Sequence, residues 1–234
     1  MFENFKDLSV VWPALVMGAI IPCVALLGLY VSSKRKEVAF RAALYGFGTF
    51  FLSLGVVVLL VFLVGKFFLS SIAISGPTDA NVYIYVGGSL AMIAFYLAAE
   101  ASKHFAFEAV KKQDQNYMAG LCFGSGFILA QNLLIFGLVY AGEIDFSQAV
   151  SFGVLMLISG VIYLLICVIG YQLALAGHRV VGPAIASTYY LMFVVMLLFA
   201  NMVVTYSFVA AVLIFNLVIG YVLLPLPFKK EKGA

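Results

Sequence analysis

Four residues that could do chemistry lie close together in this sequence, between positions 100 and 108. Glu100, Lys103, His104 and Glu108 are spaced three and four residues apart, so a helix would place them on one face. Carboxylates and cations at these spacings can pair. The flanking sequence is apolar, and a carboxylate buried there needs a partner or must take up a proton. Glu100 is therefore the first candidate for a structural ion pair or for acid–base chemistry.

A second group of candidates lies about thirty residues further along, on a segment rich in glycine. Four of its members share one helical stripe: Gly120, Gly124, Phe127 and Gln131. Asn132 lies beside this stripe. Glu100 precedes the middle of the polar turn at 113–116 by about fifteen residues, and Gln131 follows it by about fifteen. In a helical hairpin the two side chains would lie at one depth, with glycines allowing close approach, so we expect them to hydrogen-bond directly or through one water.

Several interpretations of these residues stay open. In the first, Glu100, Lys103 and Gln131 form a polar clamp that holds helices together. In the second, Glu100 activates a water molecule. In the third, Glu100, His104 and Glu108 bind a metal ion. The interleaved lysines and the lack of a second His or Cys nearby count against the third, so no metal site and no cofactor are predicted.

The elements that must position these residues follow from an apolar composition. The chain has 234 residues, of which 65% are hydrophobic and 10% charged, whereas a soluble domain carries about 25% charged residues. A helix needs about 20 apolar residues to cross a bilayer. Charged or polar segments divide the chain into seven such intervals, with the last turn placed at 201–207: approximately 8–32, 42–65, 81–110, 116–141, 147–177, 181–202 and 206–226. We therefore predict one all-α domain over residues 1–234, a polytopic transmembrane helical bundle with seven spans.

Lysine and arginine near the ends of the predicted spans are unevenly distributed between the two sides, and this distribution predicts the orientation. Lys6 and Lys66 fall on one side, and the other eleven fall on the opposite side: Lys34, Arg35, Lys36, Arg41, Lys103, Lys111, Lys112, Arg179, Lys229, Lys230 and Lys232. The amino terminus is therefore expected outside and the carboxyl terminus in the cytoplasm. Because the net charge of +3 comes from one-sided loops, nucleic acid is not expected as a partner. The expected partners are the lipid bilayer and another membrane protein, in the plasma membrane of a prokaryote.

Two short motifs resemble those of a known protease superfamily. The segment AEASK at 99–103 resembles the EExxK motif of the PrsW-type and YhfC-type intramembrane proteases, and FILAQ at 127–131 resembles their FxxxE motif. The glycine-rich segment 120–126 resembles the start of a YhfC span. It also resembles a helix of the Aph (anterior pharynx defective) subunit of gamma-secretase, which belongs to the same superfamily and has seven spans with an outside amino terminus. The resemblance implies that Glu100, Lys103 and Gln131 occupy the catalytic-motif positions; the predicted binding residues around them are Gly120, Gly124, Phe127, Asn132 and His104.

The same motifs depart from the family pattern where hydrolysis depends on them. Ala99 replaces the first acid, Gln131 replaces the acid of the second motif, and the segment 186–189 has no histidine where the family has a histidine motif. A glutamine cannot accept the proton that a glutamate accepts. The resemblance therefore implies a catalytically degenerate member that acts as a scaffold or accessory subunit for another membrane protein. Two alternatives stay open: a working intramembrane protease that uses Glu100, and a small-solute transporter or its membrane component.

Overall fold

The computed structural model describes residues 8–67, 77–111, 118–141, 145–178, 180–198 and 202–223, and nearly all of these are helical. The first helix, α1 (Leu8–Leu15), continues through a π-helical turn (Val16–Ile20) into α2 (Ile21–Ser32). The remaining helices follow in chain order: α3 (Lys36–Phe67), α4 (Pro77–Lys111), α5 (Met118–Ala141), α6 (Phe146–Leu175), α7 (Val181–Leu198) and α8 (Met202–Leu223). No strand occurs in the described residues, which agrees with the predicted all-α class.

Three helices begin four or more residues before the predicted spans: α3, α4 and α8. α3 begins at Lys36 rather than at 42, because exposed charged residues can extend a helix beyond its apolar part. α8 begins at Met202, so the turn predicted at 201–207 was wrong for residues 202–207. Serine and threonine there do not end the helix, since their hydroxyls can bond back to helix carbonyls. The predicted turn at 113–116 lies outside the described residues.

Length and composition make this chain a membrane protein. Four helical segments among the described residues are long and apolar enough to cross a bilayer: Val10–Ser32, Lys36–Leu63, Met118–Gly137 and Phe146–Leu175. Large apolar side chains on their outer faces are exposed, as with Leu59 and Phe62 of α3. Such surfaces are expected against lipid and not against water. The count of seven spans and their orientation stay predictions.

Five helices form a closed ring in which each packs on the next, in the order α3, α4, α7, α6 and α5. α1, the π-helical turn and α2 lie outside the ring against α5 and α6, and α8 lies outside against α6 and α7. Polar links join some of these helices: the Tyr96 hydroxyl of α4 donates to the Pro183 carbonyl of α7 over 2.9 Å, and the Asn216 amide of α8 donates to the Thr188 hydroxyl of α7 over 3.3 Å. The buried candidate side chains of α4 and α5 lie within this ring.

Glycines bring α5 unusually close to two neighbours, but neither neighbour is α4. A Cβ at Gly126 would overlap the carbonyl oxygen of Ala43 on α3. On another face of α5, a Cβ at Gly120 would lie 2.8 Å from the carbonyl oxygen of Cys167, and one at Gly124 would lie 3.1 Å from the Cβ of Cys167, both on α6. The expected hairpin packing of this stripe on the preceding helix was therefore wrong. In the ring, α3 separates α4 from α5 on one side, and the stripe packs on α6.

Candidate functional site

A buried ion pair on α4 faces the interior of the ring. Glu100 and Lys103 are 7% and 3% exposed, and the Lys103 ammonium donates to Oε1 of Glu100 over 2.5 Å. The expected pairing at helical spacing is thus formed. Each charge compensates for the other where neither is hydrated.

The second carboxylate oxygen of Glu100, Oε2, is buried and has no hydrogen-bond partner among the described residues. Glu100 and Lys103 also line a cavity of about 20 Å³ between α4, the end of α6 and the start of α7, together with His104, His178 and others. A cavity needs roughly 10–15 Å³ to hold one water. His178 is exposed and follows the chain reversal at Gly177, whose φ of 84° favours glycine. The cavity can therefore accommodate one water at the end of α6.

Gln131 makes its hydrogen bond to α7 and not to α4. It is 7% exposed, and its Oε1 accepts from the Tyr189 hydroxyl over 2.9 Å. No direct hydrogen bond joins Gln131 to Glu100 in the described part of the chain, because α4 and α5 are not adjacent in the ring. The two polar pairs are therefore separate links, one within α4 and the other between α5 and α7.

Aromatic rings from α5, α6 and α7 pack near both polar pairs. Phe127 stacks on Tyr163 with ring centroids 4.3 Å apart, Tyr163 lies 4.9 Å from Tyr189, and Tyr189 lies 5.3 Å from Tyr190. The Glu100 carboxyl is close enough to interact electrostatically with the hydroxyls of Tyr163 and Tyr190. The aromatic cluster Phe127, Tyr163, Tyr189 and Tyr190 thus connects the surroundings of Glu100 to those of Gln131.

The other predicted residues lie at varying distances from this centre. His104 is half-buried and lines the small cavity, and Glu108 is half-buried one turn further along α4. Asn132 is 1% exposed, and neither atom of its side-chain amide has a hydrogen-bond partner. Its Cβ lies 3.9 Å from where a Cβ at Gly18 would be, so Asn132 faces the π-helical turn. Among the described residues no group of three His, Cys, Asp or Glu comes together.

Sequence reasoning missed the tyrosines of this site. Tyr189 and Tyr190 lie in a charge-free segment that has no histidine, and Tyr163 lies in an apolar span. All three are buried. The residue type could have indicated them, because a buried tyrosine hydroxyl usually requires a polar partner. The sequence did not indicate that Gln131 would be the partner of Tyr189.

The site contains one carboxylate, one ammonium group, several phenols and space for one water. Glu100 is the only buried acid among those whose burial is described, so it has no second carboxylate with which to share the activation of that water. Comparisons of this chain with protein-family models, with curated proteins and with solved structures find no match.

Proposed function

We propose that this chain is a scaffold or accessory subunit for another membrane protein, and that it is a catalytically degenerate relative of the PrsW-type and YhfC-type intramembrane proteases. One observation carries the proposal: both family-motif positions are occupied by side chains engaged in structural bonds. Glu100 is held by Lys103, and Gln131 is held by Tyr189. Gln131 occupies the position of the second acid, and its hydrogen bond joins α5 to α7. This supports a structural role for that motif.

The chemistry of hydrolysis gives the same preference. Activating a water and then protonating the leaving amine requires a group that accepts a proton and one that donates it. Gln131 can do neither at neutral pH. Lys103 already donates to Oε1 of Glu100, so one of the two carboxylate oxygens is engaged within α4.

A working protease is the second candidate, and a specific observation favours it. Oε2 of Glu100 is buried without a hydrogen-bond partner among the described residues, and the cavity that Glu100 lines can hold one water. In this alternative Lys103 orients the carboxylate while Oε2 takes the proton of the water. A peptide would enter only after helices of the ring had separated, since about 20 Å³ is too small for a peptide bond and its flanking residues.

The two candidates are separated by one set of measurements on three proteins: the wild type, Glu100→Gln, and the matched control Glu37→Gln. Glu37 is an exposed acid in the first turn of α3. Each protein is purified in mild detergent, tested for a stoichiometric membrane partner, and incubated with a panel of transmembrane reporter substrates. The scaffold proposal expects a partner with the wild type and no cleavage by any of the three.

The protease alternative expects a different pattern. Wild-type cleavage that disappears in Glu100→Gln, with no fall in melting temperature and with Glu37→Gln still active, would replace the scaffold proposal by the protease. The amide keeps the shape of the carboxylate but cannot act as a base, so loss of activity without loss of folding would identify a catalytic role.

A further inference from the structure

An apolar groove of about 540 Å³ runs along the outside of the bundle between α2, α3 and α5. Its walls include Cys23 and Tyr30 of α2 and Phe40 and Phe47 of α3, and its floor includes Gly126 of α5. No residue of α2 is buried, so this helix forms an outer wall and leaves the groove open to its surroundings. The bottom of the groove is lined by small residues, because α3 and α5 approach each other closely there.

One end of this groove is strongly basic. The loop between α2 and α3 and the first turns of α3 carry four cations against one acid in residues 34–41, and all five side chains are exposed: Lys34, Arg35, Lys36, Glu37 and Arg41. The Lys36 ammonium lies 6.0 Å from the centre of the Tyr30 ring, which itself lines the groove. A cation–π contact of this kind holds a positive charge at the mouth of an apolar channel.

We infer that this groove binds an anionic phospholipid, with an acyl chain along α2, α3 and α5 and the phosphate beside Lys34, Arg35 and Lys36. The inference is independent of the scaffold proposal, since it concerns a different face of the molecule. A phospholipid matches both features of the groove. Its acyl chain fits the apolar lining, and its negative head group fits the basic end. Basic pockets between membrane helices on the cytoplasmic side bind such head groups.

The length of the groove favours a lipid over a helix of a partner protein. Along α3 its lining extends from Ala39 to Phe47, which corresponds to about 12 Å at 1.5 Å per residue. That length is close to the roughly 15 Å of hydrocarbon in one leaflet, half of the bilayer core. A partner helix would need a contact through both leaflets, whereas an acyl chain needs only one.

The test uses the full chain reconstituted in nanodiscs that contain equal amounts of phosphatidylglycerol and phosphatidylcholine. Native mass spectrometry then measures which lipid stays bound. The charge variant is Lys34→Gln with Arg35→Gln and Lys36→Gln, and its matched control removes three lysines from the carboxyl tail: Lys229→Gln, Lys230→Gln and Lys232→Gln. The groove variant is Cys23→Trp, and its matched control is Val24→Trp, because Val24 is exposed on α2 and does not line the groove.

We expect the wild type and both controls to retain phosphatidylglycerol in preference to phosphatidylcholine. The charge variant should lose at least ten-fold of that preference, since each cation near an anionic lipid contributes on the order of five-fold in affinity. Cys23→Trp should reduce retention of both lipids by filling the groove. If it fails to fold, Leu27→Trp replaces it, because Leu27 also lines the groove and is exposed.

Three results would overturn the lipid site. The first is equal retention of the two lipids by the wild type, and the second is unchanged retention in a folded groove variant or in the charge variant. The third is oxidative cross-linking of two copies, or of a partner protein, through the exposed thiol of Cys23 in the nanodisc, which would assign the groove to a protein.

Discussion

At the scale of single residues, the burial of Glu100 and Lys103 is what most constrains their role. A charge with 7% or 3% of its residue surface exposed cannot rely on hydration, and its neutral state or its partner must compensate. The Oε1–Nζ contact supplies that partner within one helix. Burying these two charges thus costs little free energy only while both residues are present, because removing either one leaves the other charge buried without a partner.

This dependence predicts a non-additive pair of substitutions. Lys103→Met should lower the free energy of unfolding by about 3 kcal/mol, because Glu100 is left buried without its cation. The double variant Glu100→Leu with Lys103→Met should recover to within about 1 kcal/mol of wild type, since it leaves no buried charge. Thermal unfolding in detergent measures both, with Lys34→Met as the exposed control. Equal losses in the single and double variants would contradict the role of the pair.

The link between α5 and α7 predicts a smaller effect. Tyr189→Phe removes the hydroxyl that donates to Gln131 and retains the ring that packs on Tyr163 and Tyr190. The loss should be about 1 kcal/mol, the usual size of one buried hydrogen bond. Tyr45→Phe serves as the control because Tyr45 is 43% exposed. A melting temperature of Tyr189→Phe equal to that of the control would argue against the link.

These two bonds also mark where sequence reasoning succeeds for the site and where it fails. The Glu100–Lys103 pair was predictable because helix geometry alone brings residues three apart onto one face. The partner of Gln131 is 58 residues away, and matched depth in a hairpin did not identify it. Depth gives the level of a side chain in the bilayer, whereas the angular arrangement of the helices determines which side chain it meets at that level.

At the scale of helices, the closest approach at the described glycines lies between α3 and α5, at Gly46 and Gly126. Both glycines oppose backbone of the facing helix: Gly46 faces the carbonyl of Phe123, and Gly126 faces the carbonyl of Ala43. Backbone cannot move aside as a flexible side chain can, so the absence of a Cβ sets the distance between the helices. Small residues have this function in many membrane helix pairs, where no hydrophobic effect drives association.

A methyl group added at this contact should therefore be costly. Gly46→Ala should lower the free energy of unfolding by about 3 kcal/mol, the upper part of the range for overpacking, because the new Cβ would overlap the Phe123 carbonyl. Gly48→Ala is the matched control on the same helix, since its Cβ would meet nothing within 4 Å; alanine should be neutral or slightly favourable there. Similar melting temperatures for the two variants would refute the close contact.

The helices themselves were largely predictable, and their neighbours were not. Charged and polar segments indicated the approximate position of each described helix, although α3, α4 and α8 begin earlier than predicted, because the cost of charge in hydrocarbon limits where spans can lie. The glycine stripe at Gly120 and Gly124 predicted a close contact correctly but assigned it to α4, whereas the contact is with Cys167 on α6. A stripe of small residues indicates that another helix packs closely against it. It does not indicate which helix that is.

At the scale of the whole molecule, the closed ring gives an apolar exterior around a small polar interior. The exterior follows from composition, since 65% hydrophobic residues exceed what the interior of a domain of this size can bury. The interior holds the ion pair, the aromatic cluster and the small cavity beside Glu100. A ring of this kind places its polar groups away from lipid, while the described cations Lys34, Arg35 and Lys36 lie between the end of α2 and the start of α3, where basic residues can set the orientation.

That orientation can be tested with single cysteines in a chain whose native cysteines have been replaced by alanine. Cysteine at position 77, at the start of α4, should react with an impermeant maleimide on intact cells, because the predicted outer loop before it carries only Lys66. Cysteine at 34 or at 232 should react only after the cells are permeabilised, because basic loops remain in the cytoplasm. A cysteine-free chain controls for background labelling. Reaction of positions 77 and 232 from the same side would exclude seven spans, since five of the predicted spans lie between these two positions and an odd number places them on opposite sides.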